Sequence, residues 1–239
     1  MGRGAPLAGL TVDWKDVEPD CTKAWGRWRH SLNSTYARLA ASAGMCPVAV
    51  LPCGRSGIAS LVSSIDILIM TGGNDPDPAL YGMSPEGCGR IDYERPRWEI
   101  PLYRAARAAG VPVLGICLGM QSMAIAEGSP LIRDIASAAE GRCIVGHHGT
   151  AAEPAHHRIT TSGGLAGSLF GPSAAVSSFH HQAVASAPDG FSVTARADDG
   201  IIESIESDDG LAVGVQWHPE RDGTGRALLS ALLGRAGGW

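Results

Sequence analysis

The sequence predicts an α/β protein with a mainly parallel central sheet flanked by helices and an antiparallel β extension in the second half. Three observations carry this. Short apolar runs alternate with segments of helical spacing through the first half. Runs such as Asp66–Met70 and Val111–Ile116 are apolar at successive positions, as strands covered on both faces are. The second half strings short β-like runs between turn residues.

Taken in order, Gly9–Asp13 reads as a first strand. Trp28, Leu32, Tyr36, Leu39, Ala40 and Ala43 have helical spacing and predict a helix over about Trp25–Ala43, with Gly44 at its C-terminus. Pro47–Leu51 reads as a strand, Gly57–Ser64 as a weaker helix, and Asp66–Met70 as a buried strand closed by Thr71, Gly72 and Gly73. A loop rich in Pro, Gly and Asp follows, from Asn74 to about Pro96. A helix over Trp98–Ala109 leads to the strand Val111–Ile116 and the helix Leu118–Ala126. The β-like runs of the second half are Ala174–Val176, Phe191–Ala197, Ile201–Glu206 and Ala212–Gln216, and the last helix covers Gly225–Leu233.

The 239 residues read as a single domain, 1–239, since no stretch has the composition of a linker. A hydrophobic fraction of 44% supplies a core and argues against wholesale disorder. The net charge of -5 gives no basic face for nucleic acid. No apolar run reaches the length of a membrane span, and Met1–Leu10 lacks the apolar stretch of a signal peptide. A cytoplasmic location follows as an expectation, and with it six reduced thiols: Cys21, Cys46, Cys53, Cys88, Cys117 and Cys143. No two form a Cys-x-x-Cys pair.

One thiol stands apart. In Gly115-Ile116-Cys117-Leu118-Gly119 an apolar strand runs into Cys117 and a helix starts directly after it. Small residues on both sides permit the sharp turn of a nucleophile elbow. Such a turn lifts the sulfur to the C-terminal edge of the sheet, where α/β folds bind ligands. Unpaired N–H groups of the helix N-terminus favour a thiolate there, and the Leu118 N–H is one donor for an oxyanion. The thiol needs a base, and the base an orienter. Val213–Gln216 delivers His218 at the end of an apolar strand, with Glu220 two residues on. Singly, a strand-end histidine and a loop acid are ordinary. With an elbow cysteine upstream they complete a Cys117, His218, Glu220 triad.

Gly-Ile-Cys-Leu-Gly-Met-Gln with a late Gly-Val-Gln-Trp-His-Pro-Glu resembles the class I glutamine amidotransferase superfamily. The finer resemblance is to the γ-glutamyl-γ-aminobutyrate hydrolase family, the peptidase C26 group. It rests on Gly72–Pro78 with Tyr81-Gly82, on Ile132–Ile135, on Val176–Val184 with its His180-His181-Gln182, and on Asp199–Glu203. The resemblance implies the same triad and an oxyanion hole from the N–H groups of Leu118 and Gly73. It further implies hydrolysis of a small-molecule γ-glutamyl amide through a thioester, with no cofactor. His180 and His181 border the active site in that family, so substrate contact is implied for one of them as much as a structural role. Gln121, one helical turn after Cys117, is a further candidate for the pocket wall. The chain departs from the family pattern at Leu118, Ser177, Pro96 and Glu127, which bears on the substrate more than on the chemistry.

Asp75 and Tyr81 read as loop structure, an Asx-type turn and a packed ring. The pairs His147-His148 and His156-His157 are a weak ligand signal with no acid at a familiar spacing, so no metal is expected. Glu203–Asp209 reads as a solvated hairpin. Two other functions stay open: a glutaminase subunit feeding ammonia to a separate synthase, and a non-catalytic binding protein of the same fold. Expected partners exclude nucleic acid and membrane; oligomeric state is open, a homo-oligomer included.

Overall fold

A computed structural model of the protein describes residues 4–16, 28–139, 145–149 and 153–237. Cys21, Cys143 and the beginning of the predicted helix at Trp25 lie outside the described residues. Strands β1 (Leu7–Thr11), β2 (Asp13–Asp16) and β3 (Trp28–Ser31) lead to helix α1 (Ser34–Ser42) and β4 (Cys46–Val50). Then come α2 (Gly54–Val62), β5 (Ile67–Met70), β6 (Asp75–Pro76), β7 (Ile91–Asp92), α3 (Arg95–Ala108), β8 (Val113–Ile116) and α4 (Leu118–Ala126). The second half holds β9 (Leu131–Ile132), α5 (Ile135–Ala138), β10 (Ala155–Thr161), α6 (Gly164–Phe170), β11 (Ser173–Ser178) and β12 (Ala183–Val184). It closes with β13 (Phe191–Ala197), β14 (Ile202–Ser207), β15 (Ala212–Val215), α7 (Pro219–Asp222) and α8 (Gly225–Arg235).

Nine strands form one sheet in the order β11-β10-β13-β14-β15-β8-β5-β1-β4. From β15 to β4 every pairing is parallel, and from β15 to β11 every pairing is antiparallel. The expected fold class is what the chain adopts. Successive residues of β5 explain the uniform apolarity of the parallel strands. Ile67 and Ile69 pack on one face with Leu39, Leu228 and Leu232, and Leu68 and Met70 pack on the other with Ile58, Trp98 and Leu102. Each strand residue meets a helix layer, so no position is left for a polar side chain.

The predicted helix over Trp25–Ala43 is corrected at its beginning. Asn33 caps α1, its side chain accepting from the Thr35 N–H at 3.1 Å, so the helix starts at Ser34. Trp28–Ser31 instead pairs with Asp13–Asp16 as an antiparallel ribbon. Strand β10 and helix α6 were not expected at all. β10 alternates buried and exposed residues, but one inward position is His157, which hides the apolar period.

Glu203–Asp209 is corrected in part: Asp208 and Asp209 are exposed in the turn between β14 and β15, but the acids of the strand itself are not solvated. Glu203 is fully buried on β14, and Glu206 accepts from the Leu165 N–H at 2.6 Å and pairs with Arg235 at 2.7 Å. The strand lies inside the sheet between β13 and β15, so its acids meet other elements instead of water.

Candidate active site

Four adjacent parallel strands, β15, β8, β5 and β1, bring their C-terminal ends to one edge of the sheet. Beyond them lie His218, Cys117, Gly72 and Asp13, which all line one cleft of about 620 Å³. Residues spread over two hundred positions therefore meet because the strands run side by side.

Cys117 has φ 52° and ψ -106°, and it is the sole non-glycine residue with positive φ among the described residues. Such backbone costs on the order of 1–3 kcal/mol and persists only where its surroundings enforce it. The two flanking glycines are part of that enforcement. A Cβ on Gly119 would strike the Met70 carbonyl oxygen, and one on Gly115 would lie 2.8 Å from the Gly119 carbonyl carbon and Met120 nitrogen. The Cys117 N–H donates to the Val215 carbonyl at 2.8 Å, tying the elbow to β15. Leu118 opens α4, so its N–H has no acceptor within the helix.

His218 is held from both sides. Its N–H donates to the Ser177 carbonyl at 2.8 Å, and its Nδ1 lies 2.8 Å from Glu220 Oε1. A carboxylate can only accept, so Nδ1 carries the proton and Nε2 is left for the sulfur side. Burial opposes a charged ring here, but the Cys117 sulfur and the Glu220 carboxylate outweigh it and push the His218 pKa up to about 10. The preceding Trp217 is fully buried and anchors the turn through its indole N–H, which donates to Thr224 Oγ1 at 3.0 Å.

The facing loop is Gly72-Gly73. A Cβ on Gly72 would sit 2.7 Å from the Tyr36 hydroxyl and 3.0 Å from His218 Cε1. A Cβ on Gly73 would sit 2.5 Å from Arg95 Nη1 and 2.8 Å from Leu118 Cδ2. A side chain at either position would displace these groups, and Gly73 is placed beside Leu118. The Gly72 N–H donates to the Tyr36 hydroxyl at 3.1 Å. Burial, with Glu220 and Cys117 nearby, raises the Tyr36 pKa well above its ordinary value and keeps it a neutral phenol.

Behind this loop sits Arg95, fully buried. Its guanidinium donates to the Gly72 carbonyl at 2.9 Å, the Thr71 carbonyl at 2.7 Å and Glu99 at 2.6 Å. From the sequence Tyr36 is only one residue of an apolar helical stripe, and Arg95 carries no role. The spacing of Arg95 and Glu99 by four in a helix was the available signal, but such a pair usually marks a solvated face.

The remaining candidates separate. His180 lines the cleft wall, yet its Nδ1 lies 2.9 Å from the Gln182 carbonyl and its Nε2 3.4 Å from Glu203, behind the wall. His181 stands between Asp75 at 3.0 Å and Asp134 at 3.4 Å; Asp75, against the effect of burial, raises its pKa. Asp75 thus bridges His181 and the Gly89 N–H, at 2.6 Å, rather than closing an Asx turn. Tyr81 packs beside the cluster of Met120, Ile125 and Leu131. Gln121 is buried on the wall and donates to the Gln182 carbonyl at 3.3 Å and Gln216 Oε1 at 3.2 Å.

The peptidase C26 family model matches residues 6–220, nearly the whole described chain. The chain belongs to the peptidase C26 family. A Mycobacterium tuberculosis protein provisionally named a glutamine amidotransferase is 35% identical over 254 residues, covering 100% of this chain and 77% of that protein. NtpR of Enterococcus hirae is 32% identical, covering 72% and 74%. Among solved structures, a glutamine amidotransferase from Thermotoga maritima superimposes with a TM-score of 0.56 at 15% identity, covering 96% of this chain and 83% of that one. At that identity the likeness concerns the fold. Membership of the family makes the chain a cysteine-type amidotransferase or hydrolase of the glutamine amidotransferase-like class. Among the described residues no helix is long and apolar enough to cross a membrane.

Proposed function

We propose that the chain is a γ-glutamyl hydrolase with Cys117 as nucleophile, His218 as acid and base, and Glu220 as orienter. The carrying observation is the strained elbow that sets Cys117 against His218 while the Nδ1 of that ring is fixed by Glu220. In this reading the Cys117 thiolate attacks the side-chain carbonyl carbon of a γ-glutamyl amide. Negative charge develops on the carbonyl oxygen between the N–H groups of Leu118 and Gly73. The intermediate collapses, the C–N bond breaks, and the His218 imidazolium gives its Nε2 proton to the departing amine. Water, deprotonated by His218, then cleaves the thioester and releases glutamate and the Cys117 thiolate.

The cleft suits a zwitterionic glutamyl end. Lys15 and Arg90 line it with Asp13 and Asp75, which offers both signs of charge to an α-carboxylate and an α-ammonium group. His181, Gln121 and the wall at His180 border the same space. Arg95 acts at one remove, holding the Gly72 and Thr71 carbonyls so that the Gly73 N–H keeps its aim.

A second reading is a glutaminase that hands ammonia to a separate synthase. It is favoured by a 36% match over 133 residues to the GMP synthase of Leifsonia xyli, of which 24% is covered. The two readings separate on a panel of γ-glutamyl amines and glutamine, assayed for released glutamate. The hydrolase alone cleaves γ-glutamyl amines, and Cys117→Ala lowers the rate by about 10⁴-fold or more. Cleavage of glutamine alone, and only with another protein present, favours the glutaminase. Equal rates for wild type and Cys117→Ala remove both.

A further inference from the structure

Behind the cleft wall four segments meet in a buried polar cluster: residues 145–149 with His147, β10 with His157, the turn after β11 with His180, and β14 with Glu203. All four side chains are more than nine-tenths buried. Three imidazole nitrogens approach one oxygen, Glu203 Oε1: His157 Nε2 at 3.2 Å, His147 Nδ1 at 3.3 Å and His180 Nε2 at 3.4 Å. None of these approaches has the alignment of a hydrogen bond, and both Glu203 oxygens are buried without a hydrogen-bond partner.

The outer nitrogens fix where the ring protons are. His157 Nδ1 lies 3.2 Å from the Gly146 carbonyl, His180 Nδ1 lies 2.9 Å from the Gln182 carbonyl, and His147 Nε2 lies 2.8 Å from Asp199 Oδ2. Carbonyls and carboxylates only accept, so each outer nitrogen bears a hydrogen, and each ring in its neutral form turns a lone pair inward. Three lone pairs then face a buried carboxylate. With all three rings neutral that arrangement is repulsive, and the buried carboxylate then needs a positive charge beside it, since an uncompensated one costs several kcal/mol. A cation at the centre reverses the sign of every one of these contacts.

The surroundings have the form of a metal site. Histidines that ligate metals donate their other N–H to a carbonyl or carboxylate, as all three rings do here. The observed N···O separations match the edges of a tetrahedron with ligand bonds of about 2.0–2.2 Å, which are about 3.3–3.6 Å long. The donor atoms of His147, His157 and Glu203 lie within 4.8 Å of one another; His180 Nε2 is not part of that set and joins it through Glu203 Oε1 alone, at 3.4 Å.

We propose that His147, His157, His180 and Glu203 bind a divalent transition-metal ion, zinc being the one whose chemistry fits three imidazoles and a carboxylate in a closed site. Glu203 and the supporting Asp199 carry two negative charges, which the ion balances. The site is structural: it joins β10 and β14 to the turn at His180 and Gln182 that backs the cleft. The paired histidines concealed it because His148 and His156 face solvent, and the acid comes from a strand more than forty residues on.

The test uses tag-free full-length protein carrying Cys117→Ala, so that the elbow thiol cannot hold the metal. It is dialysed against Zn²⁺ or Co²⁺, freed of loose ions, and analysed by elemental mass spectrometry and visible absorption. About one ion per chain, with the intense visible bands of tetrahedral Co²⁺, is expected. His157→Ala should abolish tight binding, Asp199→Asn should weaken it by about 10–100-fold, and the exposed His156→Ala should leave it unchanged. Asp199→Asn, which leaves the four ligands in place, keeps the test valid where His157→Ala does not fold. Less than a tenth of an ion per chain in the Cys117→Ala protein overturns the proposal. So does equal binding by the Asp199→Asn and His156→Ala proteins.

Discussion

Two histidine–glutamate constellations lie on opposite sides of one cleft wall, and they use the same residue types to different ends. At His218 a single ring is anchored to Glu220 through Nδ1, and its other nitrogen faces the sulfur of Cys117. At Glu203 three rings are anchored through their outer nitrogens, and the inner ones converge on a carboxylate. The first lines an open cleft and includes the strained backbone of Cys117; the second is buried behind the wall, reaches the cleft only through His180, and has no non-glycine residue of positive φ among its described residues. What decides the role of a histidine here is the partner of its second nitrogen and its access to solvent, not its proximity to an acid.

The comparison breaks most sharply at Glu220. Glu220→Gln keeps the shape of the side chain but no longer holds the Nδ1 proton against a negative charge. A fall in kcat of about 10³–10⁴ is expected, with KM little changed, measured as glutamate release. The same change reads out in pH. The His218 pKa is raised from 6.5 to about 10, so the ring's contribution to stability is fully present below pH 6.5 and is lost as pH rises through about 10. Urea unfolding should show a wild-type advantage over Glu220→Gln that shrinks across that interval. An advantage that grows with pH contradicts the assignment.

A smaller effect on activity is expected at Arg95, which touches neither the sulfur nor the cleft floor directly. Arg95→Lys loses the planar fork that holds the Thr71 and Gly72 carbonyls together. The expected loss is about tenfold to a hundredfold in kcat, with an unchanged pH profile because His218 is not altered. Arg95→Met leaves Glu99 buried and unpaired and should cost about 3–5 kcal/mol in urea unfolding. An unaltered kcat for Arg95→Lys contradicts the positioning role.

What the sequence disclosed follows from how local each feature is. The elbow was legible because its glycines, its strand and its helix lie within a dozen residues of Cys117. The Gly72-Gly73 loop was legible for the same reason, at the end of a fully apolar strand. Tyr36 and Arg95 were not, because each reaches the loop across more than twenty residues. The helix expected from Trp25 mistook a ribbon for a helix, since Trp28 and Leu32 satisfy a helical spacing while Trp28 sits in β3. Glu203 looked solvated among other acids, and its burial depends on three histidines from distant segments. Polar groups that fold inward carry no hydrophobic period to announce them.

The central claim is that Cys117 bonds to the γ-glutamyl carbon. Rapid quenching of the enzyme during turnover of its best γ-glutamyl amine, followed by mass spectrometry of the peptide that contains Cys117, tests it directly. The account predicts that peptide heavier by one γ-glutamyl group, with the adduct decaying as substrate is exhausted. Undiminished turnover by Cys117→Ala, or a γ-glutamyl adduct on any other residue, would contradict it.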